Sequence, residues 1–99
     1  MEESMFQRLK VASKRLEEID QELLDENTTR DIKHFREISK ERANLEPQVE
    51  SFNRYLKMQS DYNDALEMSN DSDPEIAEMG KEEAKNLSKE METLEEELR

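Results

Sequence analysis

The sequence contains no cysteine and no tryptophan, and its 99 residues include one glycine, two prolines and one histidine. Without cysteine the chain forms neither disulfides nor thiolate metal sites, and it has no glycine-rich phosphate-binding loop. Because the chain has one histidine and no cysteine, we do not expect a nucleophilic triad of the kind found in hydrolases. No apolar run approaches the roughly 18 residues that span a membrane. The acidic start at Met1–Met5 lacks the apolar core of a signal peptide, which predicts a cytoplasmic location.

Apolar and basic residues are also scarce. Hydrophobic residues make up 32% of the chain, against roughly 45–50% in an average globular domain. Charged residues make up 42%, and 15 basic against 27 acidic residues give a net charge of −12. This composition disfavours sandwiches, barrels and nucleotide-binding α/β sheets. It leaves a disordered acidic chain or long amphipathic helices, and the periodicity of the apolar residues decides between them.

The first segment is predicted to form a helix over about residues 2–25. Its apolar residues recur every three or four positions, which places them on one face of an α-helix. They are Met5, Leu9, Ala12, Leu16, Ile19 and Leu23. A polar break follows at 25–29, where Thr28 with Asp31 resembles a capping box for the next helix. A connection this short predicts that the next helix turns back antiparallel to the first.

A second helix is predicted over about residues 29–70. Its apolar residues start on one stripe and drift to a neighbouring one, which indicates a change of packing partner. They are Ile32, Phe35, Ile38, Leu45, Val49, Phe52, Tyr55, Leu56, Met58, Tyr62, Ala65 and Leu66. Pro47 removes one helical hydrogen bond, at a cost of about 3 kcal/mol. Because the apolar spacing continues through it, two alternatives stand: one helix kinked at Pro47, or two helices that meet near Leu45.

A third helix is predicted over residues 74–98. Asp73 is a good N-cap, and Pro74 suits the first helical position. The apolar stripe contains Ala77, Gly80, Ala84, Leu87, Met91, Leu94 and Leu98. Gly80 inside the helix costs about 1 kcal/mol relative to alanine, which indicates the close approach of another helix. No stop signal follows Leu98, so we expect these residues to be one domain of a longer chain.

The recurrent stripes favour an all-α fold over disorder. We expect a single domain over residues 1–99, built as an elongated antiparallel three-helix bundle or coiled coil. Its long central helix is kinked or split near Pro47. The first helix packs along the N-terminal half of the central helix, and the third packs along its C-terminal half. Exposed apolar stripes on such a bundle favour self-association of the isolated domain.

No catalytic, metal or cofactor site is predicted. Catalytic carboxylates need a concave, partly dry environment, so the acidic runs 82–83 and 95–97 are interpreted as solvated faces. A di-metal bundle needs Glu-x-x-His on two helices, and this chain has one histidine, His34, which is expected at the surface near a helix start. Neither a small-molecule ligand nor a membrane partner is expected.

One local concentration of positive charge is a candidate contact site. Its members are Arg30, Lys33, Arg36, Lys40 and Arg42. Positions 33, 36 and 40 share one helical face through their spacing of three and four. One interpretation is pairing along the helix with Glu37 and Glu41. The other is a contact with RNA phosphate or with an acidic protein.

The order of these features resembles a known family. The stretch 31–42, DIKHFREISKER, and the following 45–50, LEPQVE, with Tyr55, are similar to the start of the second helix of bacterial peptide chain release factor 1, a class I release factor. The later 73–79, DPEIAEM, followed by 81–83, KEE, and 94–98, LEEEL, is similar to the same family's third helix and the approach to its next domain. The resemblance covers nearly the whole chain, and it is carried by the order and spacing of segments that are individually common.

The resemblance implies the N-terminal helical domain of a factor that ends protein synthesis at stop codons. The family's codon-reading Pro-x-Thr motif and its Gly-Gly-Gln loop, which triggers peptidyl-tRNA hydrolysis, lie in later domains, so no catalytic or codon-reading residue is carried over. In the family this domain reaches the base of the ribosomal stalk. Two alternatives stand beside it: the N-terminal domain of release factor 2, and a free-standing antiparallel coiled-coil adaptor or scaffold with no role in translation.

Overall fold

The computed structural model describes all residues from Met1 to Arg99. Four α-helices cover 89% of the chain, and there is no strand. The helices are α1 (Glu3–Leu23), α2 (Glu26–Arg30), α3 (Ile32–Met68) and α4 (Pro74–Leu98). The predicted all-α class is confirmed. The chain divides into two compact units, Met1–Ser51 and Phe52–Arg99, and α3 contributes residues to both. The single domain over residues 1–99 stays a prediction.

The apolar stripe of α1 is buried as predicted. Leu9 and Ile19 have no exposed surface, and Met5 is 8% exposed. The other members of the stripe are half-buried: Ala12, Leu16 and Leu23. Full burial of one leucine or isoleucine side chain contributes about 1.5–3 kcal/mol. Val11 lies off the stripe and is 68% exposed, so the helical period determines which apolar residues of α1 enter the core.

In the first unit, α1 packs antiparallel to the N-terminal half of α3. Arg15 on α1 contacts Glu41 on α3, whereas Glu22, two turns further along α1, lies beside His34, two turns earlier on α3. Ile38 and Val49 supply the buried face of α3 in this unit, at 3% and 5% exposure. The predicted antiparallel turn after the first helix is therefore confirmed.

The connection between α1 and α3 differs from the prediction, because it contains the additional short helix α2. The side chain of Asp25 accepts a hydrogen bond from the Asn27 amide at 2.9 Å and caps α2. Asp31 accepts from the His34 amide at 3.1 Å at the start of α3. The prediction of Thr28 as the cap was wrong. An aspartate on each side of the segment offers a charged acceptor to each helix start, and α3 begins at Ile32 rather than near residue 29.

The structure decides between the two alternatives at Pro47, because α3 runs unbroken through it. Pro47 and Ala43, the residue four positions earlier, are both exposed, whereas Val49 is buried. The carbonyl of Ala43, which loses its helical donor, is therefore on the solvent side of the helix and can be hydrated. The proline removes a hydrogen bond on the exposed side of α3, and the packed side of the helix stays continuous.

Four apolar residues of the predicted α3 stripes are exposed, against expectation. They are Ile32 at 63%, Phe35 at 39%, Leu56 at 36% and Leu66 at 40%. Near the start of α3 the reason is the length of α1, since Glu22, next to its last residue, lies beside His34. Ile32, which precedes His34, therefore lies beyond the part of α3 that α1 covers. In the second unit, Tyr55 and Ala65 turn into the core, and the adjacent Leu56 and Leu66 fall outside it.

In the second unit, the C-terminal half of α3 packs antiparallel to α4. Ala65, Ala84 and Leu87 form a buried cluster, with Met58 and Tyr62 packed against it. Far along α4, Glu95 accepts a hydrogen bond from the Tyr55 hydroxyl at 2.8 Å. Burial of the phenol and this bond to a carboxylate raise the pKa of Tyr55 to about 12. The start of α4 is as predicted, since Asp73 caps it through the Glu75 amide at 2.9 Å and Pro74 is its first residue.

At Gly80, α4 approaches the backbone at the end of α3 closely. A Cβ atom at this position would lie 2.7 Å from the carbonyl carbon of Met68 and 2.8 Å from the carbonyl oxygen of Ala65, and closest of all to the amide nitrogen of Ser69. All three are backbone atoms, which cannot move aside as a flexible side chain can. The predicted close approach of another helix is confirmed.

We predict that Gly80→Ala destabilises the protein although alanine is the better helix former. Helix propensity favours alanine by about 1 kcal/mol, but inserting a methyl group into a packed contact costs about 1–3 kcal/mol. Here that methyl group meets backbone, so the steric cost outweighs the propensity gain. Urea denaturation followed by circular dichroism measures the change, and Ser88→Ala at an exposed position of α4 is the control that reports propensity alone. A Gly80→Ala variant as stable as Ser88→Ala would contradict the close approach.

Candidate functional site

The five basic residues singled out from the sequence divide into two groups in the structure. Arg30 pairs with Glu26 one turn earlier, with 3.4 Å between Nη2 and Oε2. Arg42 donates from Nε to Asp20 Oδ1 on α1 at 2.7 Å and from Nη1 to Glu46 Oε2 at 2.9 Å. These two arginines have carboxylate partners within the molecule, although the pair of Arg30 with Glu26 is exposed on both sides, at 75% and 84%.

Two charged links join α1 to α3, and sequence reasoning missed both. One is the bond from Arg42 to Asp20, which raises the pKa of Arg42. The other is a bidentate pair, in which Arg15 donates from Nε and Nη2 to the two carboxylate oxygens of Glu41, at 2.7 and 2.9 Å. These two hydrogen bonds hold the pKa of the Glu41 carboxyl below its ordinary value and raise the pKa of Arg15. The signal was present as opposite charges on two antiparallel helices, but finding the pairs requires knowing which turns face each other.

Lys33, Arg36 and Lys40 form the second group, named here the basic face. All three side chains are exposed, and the structure gives none of them an ion pair or a hydrogen bond. The pairing along the helix that the sequence offered as an alternative is absent, because Glu41 turns to Arg15 on α1 and Glu37 makes no ion pair.

The helical period places the basic face opposite the packed side of α3. At about 100° per residue, its three positions fall within roughly 60° of one another and extend over about 10 Å of helix. No carboxylate from residue 32 to residue 47 falls within the same arc, and the exposed Ile32 lies beside it. Lysine and arginine on a rigid helix suit contacts with phosphates or carboxylates. The arrangement can therefore bind an anionic surface.

His34 lies partly exposed in the first turn of α3, as predicted. Its Nε2 is 3.7 Å from Glu22 Oε2, an oxygen that is buried and accepts no hydrogen bond. No group of three or more histidine, aspartate and glutamate side chains is arranged to hold a metal ion. None of the helices is both long and apolar enough to cross a membrane.

Comparison with known proteins assigns the chain to a family. Residues 12–99 match the PCRF domain. This chain belongs to the PCRF domain family. The match includes α3 with its basic face, the whole of α4 and most of α1.

Two relatives of this PCRF domain are bacterial proteins named peptide chain release factor 1. The one from Anaeromyxobacter sp. (strain Fw109-5) is 33% identical over 99 residues, which is 100% of this chain and 27% of that protein. The one from Enterococcus faecalis (strain ATCC 700802 / V583) is 40% identical over 96 residues, which is 96% of this chain and 27% of that protein. The chain thus spans about a quarter of the length of these relatives, at their N-terminal part. No solved structure matches it. The resemblance to release factor 1 is confirmed.

The link between Arg15 and Glu41 gives a pH prediction. Because the pKa of Glu41 is lowered from 4.5 in the folded state, the link contributes stability above the unfolded-state pKa, and this is lost as the pH falls through the folded value. Glu41→Gln is therefore expected to lower the melting temperature at neutral pH. The difference from the parent should shrink below about pH 4.5 and vanish once the carboxyl is protonated in both states.

The control for this variant is Glu37→Gln. It removes the same charge from the same helix, but Glu37 is exposed and has no ion pair. It therefore reports the relief of self-repulsion in a chain of net charge −12. The measurement is the melting temperature of the two variants from neutral to acidic pH. Identical melting temperatures of the two at neutral pH would show that the link between Arg15 and Glu41 contributes no stability.

Proposed function

We propose that this chain is the N-terminal domain of a peptide chain release factor and acts in translation termination at stop codons. The observation that carries the proposal is the match to the PCRF domain over residues 12–99. It is supported by relatives named peptide chain release factor 1 that align over the whole chain. Within such a factor the domain has an accessory role, and it works in the cytoplasm, where ribosomes translate.

The accessory role is a contact with the ribosome through the basic face. A chain with a net charge of −12 is repelled by ribosomal RNA unless a local basic surface faces the phosphates. Lys33, Arg36 and Lys40 offer such a surface, since they are exposed and have no partner within the molecule. Arg30 and Arg42, bound to carboxylates, have a smaller part in the contact than the sequence suggested. The region contacted is the base of the ribosomal stalk, as the family resemblance implies.

The domain supplies no catalytic group of its own in this role. Its helices present solvated carboxylates and the basic face, whereas the Gly-Gly-Gln and Pro-x-Thr motifs of the family do not occur in the sequence. Peptidyl-tRNA hydrolysis and stop-codon reading accordingly belong to other domains of the factor.

Charge reversal of the basic face tests the ribosome contact. In the full-length factor that carries this domain, Lys33→Glu, Arg36→Glu and Lys40→Glu together are expected to weaken ribosome binding. If the three residues bind phosphates, the slope of log affinity against log salt should decrease by about three, roughly one for each phosphate that the variant no longer neutralises. Binding is measured by fluorescence anisotropy of a labelled factor over a salt series.

The matched control reverses Lys81, Lys85 and Lys89 on α4. These lysines are equally exposed and also lack ion pairs, and their reversal produces the same net charge. A contact through the basic face requires that the control bind more tightly than the test variant. Equal affinities of the two triple variants would show that net charge alone matters and would overturn the assignment.

The reading frame beyond Arg99 tests the family role directly. We expect it to encode the Gly-Gly-Gln and Pro-x-Thr motifs, which sequencing of the source gene reveals. A Ser-Pro-Phe motif in place of Pro-x-Thr would assign the domain to release factor 2. A stop codon directly after Arg99 would overturn the proposal in favour of a free-standing adaptor.

A further inference from the structure

A strip along one side of α4 combines exposed acidic and apolar residues. It consists of Glu75, Ile76, Met79, Glu82 and Glu83, and is named here the acidic face. All five side chains are exposed, Met79 at 61% and Ile76 at 37%. Glu75, Glu82 and Glu83 line a shallow surface depression together with Met79. At about 100° per residue the five positions fall within roughly 120° of one another; Met79 lies near the middle of this arc, and Ile76 lies at its edge, next to the packed side that contains Gly80.

The carboxylates of the acidic face have no partners in the molecule. Glu75, Glu82 and Glu83 form no ion pair, and no lysine or arginine of α4 falls within their arc, since Lys81 and Lys85 project from the opposite flank by the helical period. An exposed methionine surrounded by unneutralised carboxylates is a surface that a cationic partner with apolar side chains would complement.

The same chain carries a surface of that description. The basic face presents Lys33, Arg36 and Lys40, and Ile32, which is 63% exposed, lies beside it. Both faces extend over about 10–12 Å of helix, and both combine unpaired charges of one sign with exposed apolar side chains. The two faces are therefore complementary in charge, in length and in composition.

We propose that the acidic face of one copy of this chain binds the basic face of a second copy. Each lysine or arginine of the basic face gains a carboxylate that it lacks within its own molecule, and the exposed Met79 is covered by Ile32. The contact joins two different faces, so each copy retains one of each. Association continues beyond two copies unless the assembly closes on itself.

Salt dependence alone is not a sharp test of this contact. Salt weakens the pairing of exposed opposite charges, but it also screens the mutual repulsion of two chains that each carry a charge of −12. Exchanging the charges separates these effects. One variant carries Lys33→Glu, Arg36→Glu and Lys40→Glu, and the other carries Glu75→Lys, Glu82→Lys and Glu83→Lys.

The experiment is sedimentation equilibrium of the parent chain, of each variant and of an equimolar mixture of the two variants. The average mass of the parent is expected to rise with concentration, whereas each variant alone stays monomeric because its two faces carry the same sign. The second variant loses association although its net negative charge is smaller than that of the parent. In the mixture, the basic faces of one variant meet the acidic faces of the other, and the mass rises again.

The control reverses Lys81, Lys85 and Lys89, which lie outside both faces and give the same net charge as reversal of the basic face. This control is expected to associate more strongly than the basic-face variant, and unchanged circular dichroism verifies that every variant folds. A parent mass independent of concentration would overturn the proposal. A mixture that fails to associate would also overturn it. Single variants that associate as the parent does would overturn it too, and would indicate association through another surface, such as that around the exposed Val11 or Leu24. Only the basic face is shared with the proposed ribosome contact, so the acidic-face variant tests self-association independently of ribosome binding.

Discussion

Each unit of this protein depends on the burial of one narrow apolar stripe per helix against α3. With 32% hydrophobic residues, α1 and α4 have enough apolar side chains for one face each, and the remaining faces are charged. Leu9 and Ile19 are fully buried in the first unit, and Ala65, Ala84 and Leu87 form the cluster of the second. Since small cores supply only about 3–5 kcal/mol, links such as that between Arg15 and Glu41 matter for how α1 is held on α3. The same shortage of apolar surface favours contact by charged faces over chemistry in an enclosed site.

Much of the fold could be predicted because helical periodicity is a local property. The stripes of α1 and α4 are half-buried or buried at every predicted position, and Asp73 with Pro74 marked the start of α4. The errors arose where the outcome depends on what lies opposite a residue. Ile32 and Phe35 have the correct spacing, but α1 ends close to His34 and supplies no further turn to cover the start of α3. Pro47 was undecided because its cost depends on whether the Ala43 carbonyl meets protein or water.

The candidate site was predictable only in part, for a similar reason. The sequence located a concentration of positive charge, but it gave no reason to prefer any of its five residues as a contact residue over the others. Their difference arises from contacts between helices: Arg42 reaches Asp20 on α1, and Glu41 is bound by Arg15 instead of pairing along its own helix. This leaves Lys33, Arg36 and Lys40 as the members whose charge is fully presented to solvent. The charge that a helix exposes thus depends partly on its neighbour, which binds some of the available carboxylates.

The single glycine also fixes the register between α3 and α4. Sliding α4 by one turn would bring Ile76, Ala77, Glu83 or Ala84 to the point now occupied by Gly80, and each of these residues carries a Cβ that would meet the backbone of Met68 and Ser69. The apolar stripe repeats every three or four residues, so it would tolerate such a slip with little loss of burial. Several registers of α4 on α3 would bury similar apolar surface. The missing side chain at residue 80 therefore selects one register among them. It also determines which carboxylates of α4 lie beside which turn of α3.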